Sequence, residues 1–145
     1  MLLLTQCILY GSNTMKIKES AEDYLESILI LKNKNKTVRS IDIVNHIKVS
    51  KPSVSVAMKK LRENGYILMD TEGYITLTES GKEIADKVYE RHMFISQWLE
   101  DLGVPEDIAA HDACKIEHVL SVESFDAIKK KYKDRKCRGC NGCGQ

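Results

Sequence analysis

Residues 40–77, SIDIVNHIKVSKPSVSVAMKKLRENGYILMDTEGYITL, decide the fold. Ser40 stands before Ile41, Val44 and Ile47, apolar positions three apart, and so caps a short helix that buries them. A tight turn over residues 48–50 follows. Pro52 suits the first turn of a new helix, where its missing N–H costs nothing, and Val54, Met58 and Leu61 give that helix one buried stripe as far as the stop signal Asn64-Gly65. Two short helices joined by a few residues form a helix-turn-helix. Tyr66-Ile67-Leu68-Met69 and Tyr74-Ile75-Thr76-Leu77, rich in aromatic and β-branched residues, flank the turn segment Asp70-Thr71-Glu72-Gly73 and read as a hairpin. A helix-turn-helix followed directly by a hairpin is the layout of a winged-helix DNA-binding domain, with one helix for the major groove and a wing for the backbone. The second helix turns Ser50, Lys51, Ser53, Ser55, Lys59 and Lys60 outward; hydroxyls and ammonium groups suit phosphate contacts, and small residues admit close approach to base edges.

Upstream, Ser20 with Asp23 three residues later forms a capping-box-like start, and Tyr24, Leu25, Ile28, Leu29 and Leu31 recur at helical spacing over residues 21–33. Downstream, Ser80 with Glu83 restarts a helix whose apolar face, Ile84, Val88, Ile95, Trp98 and Leu102, continues to Gly103. Pro105 opens a further helix over residues 106–120, and a short one follows over 124–132. Phe94, Trp98, Leu99, Leu120 and Phe125 offer more apolar surface than one small chain hides, which predicts a homodimer. The fold class expected is mainly α with a small β-hairpin wing: an N-terminal winged helix-turn-helix and an α-helical dimerisation domain.

The composition fits this class. The chain has 145 residues, a net charge of +1, 30 % charged and 43 % hydrophobic residues, and only 8 Gly and 2 Pro. That balance excludes collagen, low-complexity disorder and a large multidomain enzyme. No apolar run reaches the ~18 residues of a membrane span. Residues 15–78 carry 11 Lys and Arg against 8 Asp and Glu, and residues 79–136 carry 10 against 13, so the first part suits an anionic partner and the second a cation. Cysteines at 7, 114, 137, 140 and 143 are odd in number and crowded at one end, unlike a disulfide framework, and the first 14 residues lack a basic start and a usual cleavage site. A cytoplasmic protein is expected, with residues 1–14 a non-native or disordered extension, residues 15–78 the winged-helix domain, residues 79–134 a helical metal-binding and dimerisation domain, and residues 135–145 a Cys-rich tail.

Asp23 and Glu26 lie three apart and share a helix face, and Cys114, Glu117 and His118 stand at i, i+3 and i+4 on a later helix. N, O and S donors in two short windows can enclose a divalent transition metal, and His92 and Glu90 are further candidates. Taken singly each residue has a plainer role: a cap for Asp23, solvated carboxylates for Glu26 and Glu117, a small core residue for Cys114, a surface hydrogen bond for His118. Together they are hard to motivate by packing.

Residues 19–132 resemble the metal-dependent repressors typified by the diphtheria toxin repressor and the manganese transport regulator. The resemblance is carried by Ala21-Glu22-Asp23-Tyr24-Leu25-Glu26, by Val49-Ser50-Lys51-Pro52-Ser53-Val54-Ser55, by Arg91-His92, and by residues 111–121, HDACKIEHVLS. It implies a dimer that binds operator DNA when Fe(II) or Mn(II) occupies a site between the two domains, repressing metal-uptake genes, with Asp23, Glu26, His92, Cys114, Glu117 and His118 as ligands. The pattern is a hybrid. Asp23 matches the manganese type and Cys114 the iron type; carboxylates favour Mn(II), whereas a thiolate favours Fe(II), Co(II), Zn(II) or Ni(II). The family's carboxylate four residues after the matching histidine is replaced by Ser96. A histidine of the iron type is replaced by Ala110, with His111 one step late, so the expectation is one well-formed site, alone or bridged by Glu26 to a weaker second. Ser50 and Pro52 match groove-touching positions of the iron type, whose following glutamine is replaced by Val56, a residue unable to bond adenine but able to pack on a thymine methyl.

The tail Cys137-Arg138-Gly139-Cys140-Asn141-Gly142-Cys143 spaces three thiols for one soft metal or a redox role, where closed sites usually take four ligands. Two other readings remain: a winged-helix regulator sensing redox state or an organic ligand through Cys114, and a metal- or Fe–S-carrying protein using the tail. No nucleophile-base-orienter set or phosphate loop points to an enzyme.

Overall fold

The computed structural model describes residues 14–139, with side chains for residues 19–133. Cys7, Cys140 and Cys143, and the side chain of Cys137, lie outside the described residues, and with them the expectations for the N-terminal extension and the tail. Six helices and two strands follow in the order α1 (Thr14–Asn35), α2 (Ser40–Ile47), α3 (Lys51–Glu63), β1 (Ile67–Met69), β2 (Ile75–Leu77), α4 (Glu79–Asp101), α5 (Glu106–Val119) and α6 (Val122–Gly139). Two compact units meet in sequence between Val88 and Tyr89, within α4. Among the described residues no helix is long and apolar enough to cross a membrane.

The first unit is built around α1. Residues 24–29 of this helix are all buried, because α2, α3 and β2 all pack against it. Leu25 and Ile28 join Ile43 of α2, Val54, Met58 and Leu61 of α3, Ile67 of β1 and Ile75 of β2 in one core. Each such side chain contributes about 1.5–3 kcal/mol when fully buried, so the apolar stripes seen in the sequence select the arrangement. The helix-turn-helix turns at Lys48, whose left-handed backbone (φ 60°) ends α2 with its N–H donating to the Val44 carbonyl. Ser50 then caps α3, its Oγ accepting from the Ser53 N–H at 3.3 Å.

The hairpin pairs antiparallel with Ile67 opposite Leu77, Leu68 opposite Thr76 and Met69 opposite Ile75. It is tied back to the start of α2. The Ile75 N–H donates to the Val38 carbonyl at 2.8 Å, and the Arg39 guanidinium donates to the Glu72 carbonyl at 2.9 Å while lying 4.5 Å from the centre of the Tyr74 ring. The wing and the two helices are therefore positioned as one piece.

Several helix starts differ from the sequence expectation. α1 runs through Ser20 from Thr14, so no capping box forms at Ser20 and Asp23. The cap of α2 is Arg39, whose N–H donates to the Asp42 carboxylate at 2.8 Å, with Ser40 already helical. α4 is capped by Thr78, which accepts from the Gly81 N–H at 3.2 Å; the hydroxyls of Thr78 and Ser80 both donate to the Gly65 carbonyl. A carboxylate bonded to the Arg39 N–H marks the start of α2, and a threonine hydroxyl the start of α4. α6 extends well beyond residues 124–132, starting where Ser121 Oγ accepts from the Ser124 N–H.

In the second unit Ile95, Ala113 and Phe125 form the core, with Phe94, Trp98, Leu99, Ile116 and Leu120 packed against it. The Phe94 ring meets those of Phe125 and Tyr132 edge to face at 5.3 and 5.6 Å. The aromatic and leucine residues expected to need a partner's cover are thus used inside the unit. The apolar side chains left exposed there are Tyr89, Met93, Leu102, Ile108, Val119 and Val122; Leu102 lies past the end of α4 instead of on its apolar face.

Gly81 marks where the first turn of α4 crosses the wing. A Cβ at this position would lie 2.0 Å from the Tyr66 carbonyl oxygen, a backbone atom that cannot step aside without moving the hairpin. Gly81→Ala is expected to lower unfolding free energy by about 2 kcal/mol or more, read as a drop in the denaturant midpoint; an unchanged midpoint would show that the wing is not held by this contact.

Candidate metal centre

On α5, Ala109, Ala113 and Glu117 are buried at four-residue intervals. The stripe that seats the helix in its unit therefore ends in a carboxylate. Glu117 is 1 % exposed. Its Oε2 lies 3.0 Å from His92 Nδ1 of α4, and its Oε1 lies 3.3 Å from Nε2 of the adjacent His118, whose side chain is also buried. In the neutral tautomer whose Nδ1–H donates to Glu117, the ring's lone pair is on Nε2. Glu117 Oε1 makes no hydrogen bond, so the His118 contact is one of proximity. An ionised carboxylate taken out of water costs several kcal/mol unless charge and hydrogen bonds compensate it. A divalent cation supplies that charge, and imidazole nitrogen with carboxylate oxygen is a donor set that first-row divalent metals accept. The residues present fit a metal.

The remaining predicted ligands are placed as follows. Cys114 is exposed, one turn before His118, on the side of α5 that also carries exposed Lys115. In the first unit Asp23 is half-buried and Glu26 is 7 % exposed, three residues apart on α1; Ser27 Oγ donates to the Asp23 backbone carbonyl at 2.7 Å. The Asp23 charge, after burial itself, pushes the Tyr24 phenol above its ordinary pKa. Glu90 is exposed and pairs with Lys129 at the surface. His111 is exposed beside Asp112. Ser96, one turn after His92, is buried with no hydrogen bond to its Oγ, so this face of α4 adds a small neutral group instead of a further carboxylate.

Sequence reasoning missed the role of Arg91. Its Nη1 donates to the carbonyls of Glu117 at 3.0 Å and Leu120 at 3.1 Å, and its guanidinium lies 5.1 Å from the centre of the Phe125 ring. One side chain of α4 thus satisfies the open carbonyl end of α5 and fixes the register that brings His92 to Glu117. An arginine beside a histidine was visible in the sequence; the carbonyls it reaches, 26 and 29 residues on, were not.

The first unit presents a separate surface. Ser50, Lys51, Pro52, Ser53, Ser55, Lys59 and Lys60 are all exposed on or beside α3. The Ser50 and Ser53 hydroxyls lie 2.7 Å apart within the helix cap, and Lys59 lies 3.9 Å from Glu63 in a solvent-exposed pair of little energetic weight.

A winged helix-turn-helix followed by a helical unit that buries a carboxylate between imidazoles defines a class of metal-responsive DNA-binding proteins. Comparison with known proteins agrees. The N-terminal DNA-binding domain of iron dependent repressors matches residues 16–76, and their metal-binding and dimerisation domain matches residues 78–139. The chain belongs to the iron-dependent repressor family. It is 36 % identical over 124 residues to an uncharacterised HTH-type transcriptional regulator of Methanocaldococcus jannaschii, covering 82 % of this chain and 99 % of that one. It is 35 % identical over 109 residues to the HTH-type transcriptional regulator MntR of Geobacillus thermodenitrificans, covering 75 % of this chain and 77 % of that one. Among solved structures it is similar to the manganese regulator SloR, with a TM-score of 0.70 and 28 % identity over 78 % of this chain and 53 % of that one. A manganese-dependent transcriptional repressor in complex with manganese has the same TM-score and identity, over 77 % of this chain and 51 % of that one. The chain spans about half the length of these solved chains.

Arg91→Gln is expected to weaken Mn(II) binding about ten-fold, as loss of a group that orients metal ligands typically does, with Arg91→Lys recovering part of the loss. Competition with a fluorescent chelator reads this directly, and equal affinity in wild type and Arg91→Gln would remove Arg91 from the site's support.

Proposed function

We propose that the protein is a metal-dependent transcriptional repressor that acts in the cytoplasm, binding operator DNA as a homodimer when Fe(II) or Mn(II) is bound and lowering expression of metal-uptake genes. The observation that carries this reading is Glu117, a carboxylate buried between His92 and His118 in a chain whose first unit is a winged helix-turn-helix. Family membership and the manganese named for two of the relatives support it.

In this reading Glu117, His92 and His118 anchor the ion in the second unit, and Asp23 and Glu26 supply carboxylates from α1. A bound ion contributes positive charge and directed coordination that these side chains lack among themselves. The protein's own part is linkage. The ligands belong to helices of both units, so the dimer geometry in which all of them coordinate is selected by metal, and that geometry sets the spacing of the two α3 helices at about 34 Å, one turn of DNA. Without metal, repulsion among Asp23, Glu26 and Glu117 disfavours it. Cys114 tunes the choice of metal: a thiolate in the set favours Fe(II), and oxygen and nitrogen donors alone favour Mn(II). Lys51, Lys59 and Lys60 take phosphate contacts, with Ser50, Pro52, Ser53 and Ser55 at the groove. The exposed Tyr89, Met93, Ile108, Val119 and Val122 of the second unit are the apolar surface that a second copy covers.

Fluorescence anisotropy on DNA from upstream of the protein's own gene and of metal-uptake genes, at fixed ionic strength with Mn(II), anaerobic Fe(II), Zn(II) or EDTA, tests this. Wild type is expected to bind at least ten-fold more tightly with its metal than in EDTA, and Glu117→Gln to fold normally but lose that stimulation. Tight binding in EDTA, or binding that answers to oxidant instead of metal, would favour sensing through the exposed Cys114.

A further inference from the structure

The outward face of α3 carries one large apolar side chain where everything around it is polar or small. Val54, Met58 and Leu61 point into the core, and Val56, two residues on from Val54 and hence nearly opposite that stripe, is 55 % exposed. Its neighbours on the surface, three and four residues away, are Pro52, Ser53, Lys59 and Lys60, all exposed. The surrounding polar groups are partly occupied: the Ser50 and Ser53 hydroxyls serve the cap of α3, and Lys59 lies near Glu63. No core residue covers Val56, and an isopropyl group at the centre of a solvated helix face gains nothing from water.

The partner of this face supplies the match. When such a helix lies in the major groove, residues of its N-terminal half meet base edges. Most groups that DNA presents there are hydrogen-bond donors or acceptors, and the large apolar one is the C5-methyl of thymine. Lys59 and Lys60, one turn further along the helix, are placed to hold phosphates, which fixes depth and register without reading sequence. We infer that Val56 is a specificity-determining residue, packing its side chain on a thymine methyl in each operator half-site. The inference rests on the operator-binding reading above and names the chemical feature of the operator that this chain selects.

Deoxyuridine pairs as thymidine does and lacks only the methyl, so it isolates the contact. Duplexes are selected from a random library on the Mn(II)-loaded full chain at fixed ionic strength, and each thymine of the selected site is replaced in turn by deoxyuridine. At one thymine in each half-site the replacement is expected to weaken binding about four-fold, the effect of one buried methyl. Val56→Ala is expected to bind the thymine duplex less tightly and to lose that discrimination, while Val56→Thr, which keeps one methyl, retains part of it. Val56 is exposed, so both variants are expected to melt with wild type. The inference is overturned if deoxyuridine is tolerated at every position, if Val56→Ala discriminates as wild type does, or if Val56→Ala changes only the oligomeric state. Enrichment of no duplex, or enrichment indifferent to Mn(II), would strike the operator-binding reading itself and the methyl contact with it.

Discussion

A carboxylate that is 1 % exposed has to be compensated where it stands, and Glu117 sets terms for everything near it. It is the last of three buried positions on α5, after Ala109 and Ala113, and the two alanines let the helix sit close enough for its side chain to reach inward. His92 and His118 face its two oxygens, and Arg91 holds the carbonyl end of the same helix. Replacing Glu117 with a leucine of similar bulk would be the economical choice for stability alone, since a buried charge seldom repays its desolvation. The retained charge with imidazoles on both sides is the physical basis for assigning a cation to this unit.

The first unit uses its residues differently. Apart from Glu26 and Ser27 of α1 its buried residues are apolar, and other polar groups mark the junctions: Arg39 and Asp42 at the start of α2, Ser50 and Ser53 at the start of α3, Thr78 and Gly81 at the start of α4. Each junction fixes the direction of the element that follows. Tight packing of Ile43, Val54, Met58, Leu61, Ile67 and Ile75 then makes α3 and the wing one rigid reading head. Of the exposed residues of α3 and its start, Ser50 and Ser53 serve the cap, whereas Val56, on the outward face, belongs to no core cluster and is open to variation.

The helix-turn-helix and hairpin were legible because local signals coincide: a buried stripe at helical spacing, proline near the start of α3, Asn64-Gly65 at its end, and β-branched runs on either side of a turn. The ligand candidates on α1 and α5 were legible from spacing, and His92 from family resemblance. Helix starts were less so. Ser20, Ser40 and Ser80 are each plausible caps, and the chain uses Arg39 with Asp42, and Thr78, because backbone direction outside the helix decides which group is in reach. Burial was legible in part: a helical wheel places Cys114, Glu117 and His118 on one face, and the fold buries the last two and leaves the thiol exposed. The role of Arg91 was not legible, since its partners are backbone carbonyls with no signature in the sequence.

In the proposed function one equilibrium joins the ion held by Glu117 to the DNA held by α3, and such coupling is reciprocal: metal must tighten DNA binding by the same factor by which DNA tightens metal binding. The most direct test is the Mn(II) affinity of the full chain, by competition with a chelating indicator, in the absence of DNA and with a saturating selected duplex. The duplex is expected to raise Mn(II) affinity by the factor that Mn(II) raises duplex affinity, at least ten-fold. A Mn(II) affinity that is the same with and without DNA would contradict it.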